Sequence, residues 1–197
     1  VLGQMEGESE YKNCGKMIVS NFPIKEPKKV LLVPVAQNGI GTNADGVEDY
    51  LNNLYGGLGF SFEVELVDPI LVDESYLSEE EGALRDLLDD GLSIGADDQS
   101  VWTNYTDEMK KLTNYYISKN PDIAETNPAI IFLVEKPQED QYSGVQGDMP
   151  RGKSVGFVFT NNVTVSGKDF NRLVAHELGH GLFKLEHIFN YGHGDCL

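Results

Sequence analysis

The stretch His176-Glu177-Leu178-Gly179-His180 contains two histidines four residues apart, with a glutamate directly after the first. On an α-helix, residues four apart leave the same face one turn apart, so both imidazoles can bind a single metal ion. The glutamate then lies beside the ion, where its carboxylate can take a proton from water that the metal activates. The spacing therefore predicts a zinc site bound by His176 and His180, with Glu177 as the catalytic base. The pattern H-E-x-x-H on a helix is typical of zinc peptidases.

The residues around this motif predict a helix from Ser166 to Leu185 that either Ser166 or Asp169 caps at its start. Apolar side chains are distributed around most of its circumference, namely Phe170, Leu173, Val174, Leu178, Leu182 and Leu185. Such a helix is expected to be buried and to hold its ligands rigidly. The alternative, two histidines and a glutamate that are merely solvated on a surface helix, fits this apolar surface poorly.

Composition limits the classes of protein to which the chain can belong. Its 197 residues are enough for one domain with a substantial core, and 40% apolar residues fit a globular protein. No apolar run approaches the roughly 20 residues that a membrane span needs. The net charge of −17 argues against nucleic acid or an anionic membrane as a partner, and we interpret the acidity as a source of solubility.

The two ends of the sequence suggest a processed or excised piece of a longer protein. The chain begins with Val1, has no secretory signal at its start, and stops abruptly at Leu197. Its two cysteines, Cys14 and Cys196, lie near opposite ends and either form one disulfide or remain free thiols. Neither belongs to a Cys-x-x-Cys pair, so a thiolate zinc site is not expected.

Hydrophobic patterns predict a mixed sheet with packed helices, an α+β fold, in residues 29–197, behind an irregular polar lead-in at 1–28. Buried or half-buried strands are predicted at Val30–Val35, Phe60–Leu66, Ala129–Val134 and Ser154–Thr160. Helices are predicted through Val47, Leu51, Leu54 and Leu58 with Asp45 as cap, around Glu80–Leu88, and from Tyr105 to Lys119. The acidic residues Asp89, Asp90, Asp97 and Asp98 lack EF-hand spacing and are interpreted as solvated surface.

The element order resembles the N-terminal subdomain of the metzincin group of zinc peptidases. The run from His176 to Phe189 resembles more closely the metallopeptidase domains of large secreted bacterial toxins, to which Leu51–Tyr55 and Met149–Lys153 are also similar. The resemblance covers about residues 30–197. It implies a zincin-like fold, a polypeptide substrate, a secreted or cell-surface location, and an inhibitor or immunity-type protein as a partner. It also implies that strand 154–160 is an edge strand that pairs with extended substrate backbone.

The third metal ligand is where the sequence departs from the metzincin pattern H-E-x-x-H-x-x-G-x-x-H. Phe183 stands where the pattern has its glycine, and Glu186 stands where it has its last histidine. His187 follows one residue after that position. On an unbroken helix, His187 would lie about 10 Å along the axis from His180, so the chain must turn between Gly181 and His187 if His187 is a ligand. The resemblance favours His187. Glu186 is the alternative third ligand, because a carboxylate also binds zinc. In a further alternative, His187 binds no metal and is only a polar residue at the end of the helix.

The end of the sequence also lacks a feature of the family. Metzincins carry a methionine turn beneath the metal, and residues 194–197 are similar to the approach to such a turn, but no methionine follows. We therefore expect the domain at 29–197 to be truncated at its C-terminal end.

The sequence predicts a zinc-dependent endopeptidase in which His176, His180 and His187 bind Zn²⁺ and Glu177 is the general base. One alternative is a zinc-stabilised binding or adhesion module of a larger secreted protein, closed by His193 or Asp195 as a fourth ligand. Another is a zinc hydrolase acting on a sugar or a cell-wall amide. Glu177 favours the enzyme over the binding module, because a structural zinc site has no use for a base.

Overall fold

A computed structural model describes residues 2–3, 12–13, 26–36, 44–71, 91–94, 105–137, 145–162 and 168–186. Its strands are β1 (Leu2–Gly3), β2 (Lys12–Asn13), β3 (Lys28–Ala36), β4 (Phe62–Leu66), β5 (Ile70–Leu71), β6 (Ala129–Val134), β7 (Gly147–Asp148) and β8 (Val155–Phe159). Its α-helices are α1 (Val47–Tyr55), α2 (Asp107–Lys119), α3 (Asp122–Thr126) and α4 (Lys168–Phe183).

The central element of these described ranges is a six-stranded sheet with the order β4-β3-β6-β8-β7, in which β5 also pairs with β3. All of its pairings are parallel except that β7 runs antiparallel to β8. Every residue of β6 and of β8 is buried. Parallel strands that are covered on both faces are continuously apolar in this way, because both sets of alternating side chains enter a core.

The two faces of the sheet form two separate cores. On one face, the side chains of β3, β6 and β8 pack against α2 through Met109, Leu112 and Tyr116. On the other face, the alternate side chains pack against α1 and α4. The sheet thus lies between α2 on one side and the α1–α4 pair on the other, and α4 carries the histidine motif.

Most predicted elements are confirmed. The buried strands at 30–35, 129–134 and 154–160 are present as β3, β6 and β8, and the predicted helix at 105–119 is α2. The side chain of Thr106 caps α2 by accepting a hydrogen bond from the Met109 amide at 3.2 Å. The general architecture, a mixed sheet with packed helices, agrees with the prediction.

The prediction for α1 is wrong in two details. The N-cap residue is Gly46, in a left-handed conformation with φ 85°, and not Asp45. Of the four residues at helical spacing, Val47 and Leu51 are buried, but Leu54 and Leu58 are 52% and 55% exposed, and Tyr55 is buried. The helix ends at Tyr55, and a 3₁₀ turn follows at 56–58. Leu58 therefore lies outside the α-helix, and the spacing of an α-helix does not apply to it.

The prediction that strand 154–160 lies at a sheet edge is also wrong. β8 lies between β6 and β7, and the sheet ends at β7 within the residues that the structure describes. The chain that leads into β8 reverses direction, so that Gly147 and Asp148 run antiparallel along its outer side. β7 therefore covers the edge of β8 that would otherwise end the sheet. Its two residues carry no hydrophobic pattern from which a strand could be predicted.

Several predictions concern residues outside the described ranges, namely the helix at 80–88, the acidic residues Asp89, Asp90, Asp97 and Asp98, and Cys14, Cys196, His187, His193 and Asp195. Within the lead-in predicted to be irregular, β1 and β2 form a short antiparallel pair. Among the helices in the described part of the chain, none combines the length and apolar character needed to cross a bilayer.

Candidate metal centre and catalytic base

The two motif histidines lie side by side on α4. Their Nε2 atoms are 3.0 Å apart, and the two rings are nearly perpendicular, with centroids 4.6 Å apart. Two nitrogens bound to one tetrahedral zinc at about 2.0–2.1 Å lie about 3.3 Å from each other. The helical spacing therefore places both nitrogens at nearly the separation that a shared ion requires.

The contact of His180 with Leu185 selects the tautomer of its imidazole. The Nδ1 atom of His180 lies 2.7 Å from the backbone oxygen of Leu185. Because a carbonyl oxygen only accepts hydrogen bonds, Nδ1 carries the proton and donates it. The Nε2 atom of the neutral ring then presents a lone pair toward His176, which is the arrangement that orients metal-binding histidines.

The chain turns immediately after the second histidine. Helix α4 ends at Phe183, and Lys184 adopts a left-handed conformation with φ 57°. The Lys184 amide donates to the His180 carbonyl and the Leu185 amide to the Gly179 carbonyl, both at 3.1 Å. The chain thus turns at Lys184 in an αL cap. A turn between residues 181 and 187 is what the sequence requires if a residue beyond the helix is the third ligand. His187 itself lies outside the described residues.

Aromatic packing fixes the point at which α4 ends. The ring of Phe183 lies 4.7 Å from the rings of both Tyr55 and Phe60, and 6.4 Å from that of Phe62. The Tyr55 hydroxyl also donates to the backbone oxygen of Ala175 at 2.9 Å, one turn before Gly179. Phe183 thus anchors the last turn, while Lys184 makes the reversal.

The loop before β8 closes over the end of α4. The Gly152 amide donates to the His180 carbonyl at 3.3 Å, and Arg151 forms an ion pair with Glu186. The Glu186 side chain is 36% exposed. Its carboxylate, the alternative third ligand, is therefore engaged by a guanidinium group.

The side chain of Glu177 lies against Gly147 of the edge strand β7. This side chain is 4% exposed, and its carboxylate accepts a hydrogen bond from the Met149 amide. Burial raises the pKa of Glu177 to about 8, with a further increase from the nearby charge of Asp148 and an opposing decrease from the Met149 amide. Asp148 is 6% exposed, and burial raises its pKa to about 6.

A cleft of about 310 Å³ opens between α1 and α4, next to the histidines. Leu54 and Leu185 line it and are 52% and 51% exposed, and Arg172 provides a cation in its wall. Both histidines also line the cleft. The face of α4 that carries both histidines is therefore accessible from this side, with apolar surface beside it.

Sequence reasoning did not identify several residues that shape this site. Gly147 and Asp148 carried no motif, and Tyr55 was noted only within a short stretch of family resemblance. The signals available for them were weak, because a single glycine or aspartate in a loop predicts neither a strand nor a contact. Their roles arise only when the chain reversal places β7 beside α4.

Two of the three predicted ligands are brought together, and the third is not described. Among the residues with described positions, no group of three or more His, Cys, Asp or Glu side chains is arranged to hold a metal ion. His187, His193 and Asp195 all lie beyond residue 186, the last described position. In comparisons with known proteins, no family model matches the chain and no curated sequence is significantly similar to it.

Proposed function

We propose that this chain is a zinc-dependent endopeptidase domain of the zincin type. In this proposal His176, His180 and His187 bind the metal, and Glu177 is the general base. The observation that supports it most strongly is the pair of Nε2 atoms 3.0 Å apart, one of which presents its lone pair because its own ring donates to the Leu185 carbonyl. When His176 takes the tautomer that leaves its own Nε2 unprotonated, a second lone pair lies at this distance, and a cation between the two nitrogens is well accommodated.

The donor set suits zinc. Neutral imidazole is a preferred ligand of Zn²⁺, and His180 is held as the tautomer that leaves Nε2 available. When bound, zinc would activate water and polarise the scissile carbonyl group. We prefer His187 to Glu186 as the third protein ligand, because Glu186 already pairs with Arg151.

The proposed role of Glu177 is to take a proton from the attacking water and to transfer it to the leaving amine. Its carboxyl group is held in one place by burial and by the Met149 amide. With a pKa of about 8, Glu177 is mostly protonated at pH 7 in the metal-free protein, and the positive charge of bound zinc would favour the carboxylate that a general base requires.

The substrate is proposed to be an extended polypeptide that pairs with β7. In the sheet as described, β7 is the terminal strand and lies directly beside Glu177. Its outer edge can add one more strand through backbone hydrogen bonds. We therefore assign the pairing with substrate backbone to β7, and not to strand 154–160 as the resemblance implied. Leu54 and Leu185 add exposed apolar surface to the cleft that both histidines line, and this surface suits apolar side chains of the substrate.

The test is cleavage of an unfolded protein substrate by the zinc-loaded chain, with Glu177→Gln as the matched variant. We expect cleavage that a chelator abolishes and added zinc restores. Glu177→Gln should bind zinc with unchanged affinity and lose turnover by about 10²–10⁴-fold, the usual contribution of a general base. Undiminished cleavage in the presence of chelator, or by Glu177→Gln, would contradict the proposal.

One observation favours a second candidate, the zinc-stabilised binding or adhesion module. Glu177 is almost fully buried, as a carboxyl group with a packing role would be. This candidate predicts that the zinc-loaded chain cleaves no unfolded protein and that Glu177→Gln changes stability alone. The secreted or cell-surface location and the inhibitor or immunity-type partner remain proposals that follow from the toxin resemblance.

A further inference from the structure

The carboxyl group of Glu177 occupies the space where residue 147 would otherwise carry a side chain. A Cβ atom placed on Gly147 would lie 2.6 Å from Oε1 of Glu177 and 2.9 Å from its Cδ, closer than real Cβ contacts allow. Backbone conformation does not explain the glycine, because Gly147 is not one of the described glycines with positive φ. The reason for a glycine at this position lies in what it contacts.

The residue that follows strand β7 supplies the donor that holds the same carboxyl group. The Met149 amide, two residues after Gly147, donates a hydrogen bond to the Glu177 carboxylate. The missing side chain and this amide together place the carboxyl group against β7, where it is 4% exposed. A side chain held both by burial and by a hydrogen bond has few alternative rotamers.

We infer that Gly147 is a positioning residue, whose missing side chain lets the carboxyl group of Glu177 lie against the edge strand. The inference rests on the proposed function in assigning Glu177 as the base. Misplacing a catalytic group by about 1 Å can cost about 100-fold in rate, so even a methyl group at position 147 would matter.

The backbone of β8 offers a competing explanation for the glycine at position 147. The same Cβ atom would lie 2.9 Å from the backbone oxygen of Phe157 in β8. Glycine at position 147 would then serve the pairing of β7 with β8 and not the base. The two explanations differ in whether the effect of a methyl group depends on residue 177.

A double-mutant cycle in thermal stability, measured with chelator present, tests the difference. Gly147→Ala should lower the melting temperature by about 4–10 °C, the usual effect of overpacking in a chain of this size. In the Glu177→Ala background the same change should lower it by less than half as much, because the obstructing carboxyl group is gone. A decrease of half or more of the original value would overturn the inference.

Gly46→Ala, before α1, is the control. Gly46 has φ 85°, and its Cβ atom would lie 3.2 Å from Asn171 Nδ2, so alanine is strained there and crowds a residue other than Glu177. Its effect on the melting temperature should be equal in the two backgrounds. If Gly147→Ala fails to fold, recovery of folding in Gly147→Ala/Glu177→Ala supports the inference. Failure of both variants overturns it, because the Phe157 carbonyl is then the obstacle.

The kinetic effect provides a second measurement on the zinc-loaded protein. Gly147→Ala should lower kcat by about tenfold or more, with KM and zinc affinity within about twofold of the original protein. Unchanged kcat would overturn the inference. The double-mutant cycle in stability needs no substrate, so it can support the inference even if the chain has no peptidase activity. Failure of the inference and failure of the proposed function are therefore distinguishable.

Discussion

At the residue scale, the chemistry of the site depends on which nitrogen of each histidine carries a proton. His180 donates through Nδ1 to the Leu185 carbonyl, and its other nitrogen therefore faces His176 as an acceptor. A backbone carbonyl cannot be changed by protonation or by substitution of its side chain. The choice of tautomer is therefore insensitive to the identity of residue 185.

The identity of the third ligand can be tested at this scale. His187→Ala should weaken zinc binding by more than about 100-fold, because loss of outer partners alone costs about 10–100-fold. Glu186→Ala should change zinc affinity little, since its carboxylate pairs with Arg151. Competition with a chromophoric chelator measures both affinities, and the reverse order would identify Glu186 as the ligand.

Asp148 should make stability depend on pH. Burial raises its pKa from 3.8 to about 6, so the folded protein holds this proton more tightly than the unfolded chain does. Its ionisation therefore lowers the free energy of unfolding as the pH rises from about 4 to about 6, by up to about 3 kcal/mol. Asp148→Asn should be more stable than the original protein at pH 7 and equal to it near pH 3.5. Urea unfolding with chelator at the two pH values measures this, and an equal difference at both would contradict it.

At the scale of elements, the end of α4 determines where the chain goes after the second histidine. Phe183 fixes the last turn by its ring contacts, and Lys184 reverses the chain in a left-handed conformation. Lysine is strained there, because its Cβ atom crowds the backbone.

Substitutions at Lys184 should reveal this strain. Lys184→Gly should be more stable than Lys184→Ala by about 1 kcal/mol, because glycine adopts a positive φ without steric cost. Both variants lose the contact of the lysine side chain with Gly152, so that contribution cancels between them. Chemical denaturation provides the two free energies of unfolding. Equal values would indicate that the turn relaxes to another conformation.

The success of the sequence predictions differs between elements for physical reasons. β3, β6 and β8 were predictable because strands covered on both faces are continuously apolar. α4 was predictable because apolar residues surround its motif at helical spacing. β7 was not predictable, since two residues carry no periodicity and Gly147 pairs with Val158 only because the chain reverses. The histidine pair followed from helical spacing, whereas the Leu185 contact depends on the φ angle of one lysine.

At the scale of the whole molecule, the sheet separates the candidate site from half of the core. The α2 side of the sheet has its own core cluster, and the histidine helix packs on the opposite face. Stability and metal binding should therefore be separable by substitution.

A matched pair of leucines tests this separation. Leu112 in α2 and Leu178 in α4 are both 0% exposed. Truncation of either to alanine should cost about 2–5 kcal/mol of stability. Leu112→Ala should leave zinc affinity within about twofold of the original value, whereas Leu178→Ala, between the two histidines in sequence, should weaken it. Denaturation and zinc competition provide both quantities. Equal losses of affinity in the two variants would show that the faces of the sheet are coupled.

The pairing of Val30 with Ala129 has a consequence for how this protein is made. A ribosome releases β3 long before β6, so β3 waits without its partner while most of the intervening chain is synthesised. Closing so long a loop is slow, and an apolar strand exposed meanwhile invites association with other nascent chains. The two histidines emerge later still. The proposed metal site could then form only after both of these strands have left the ribosome.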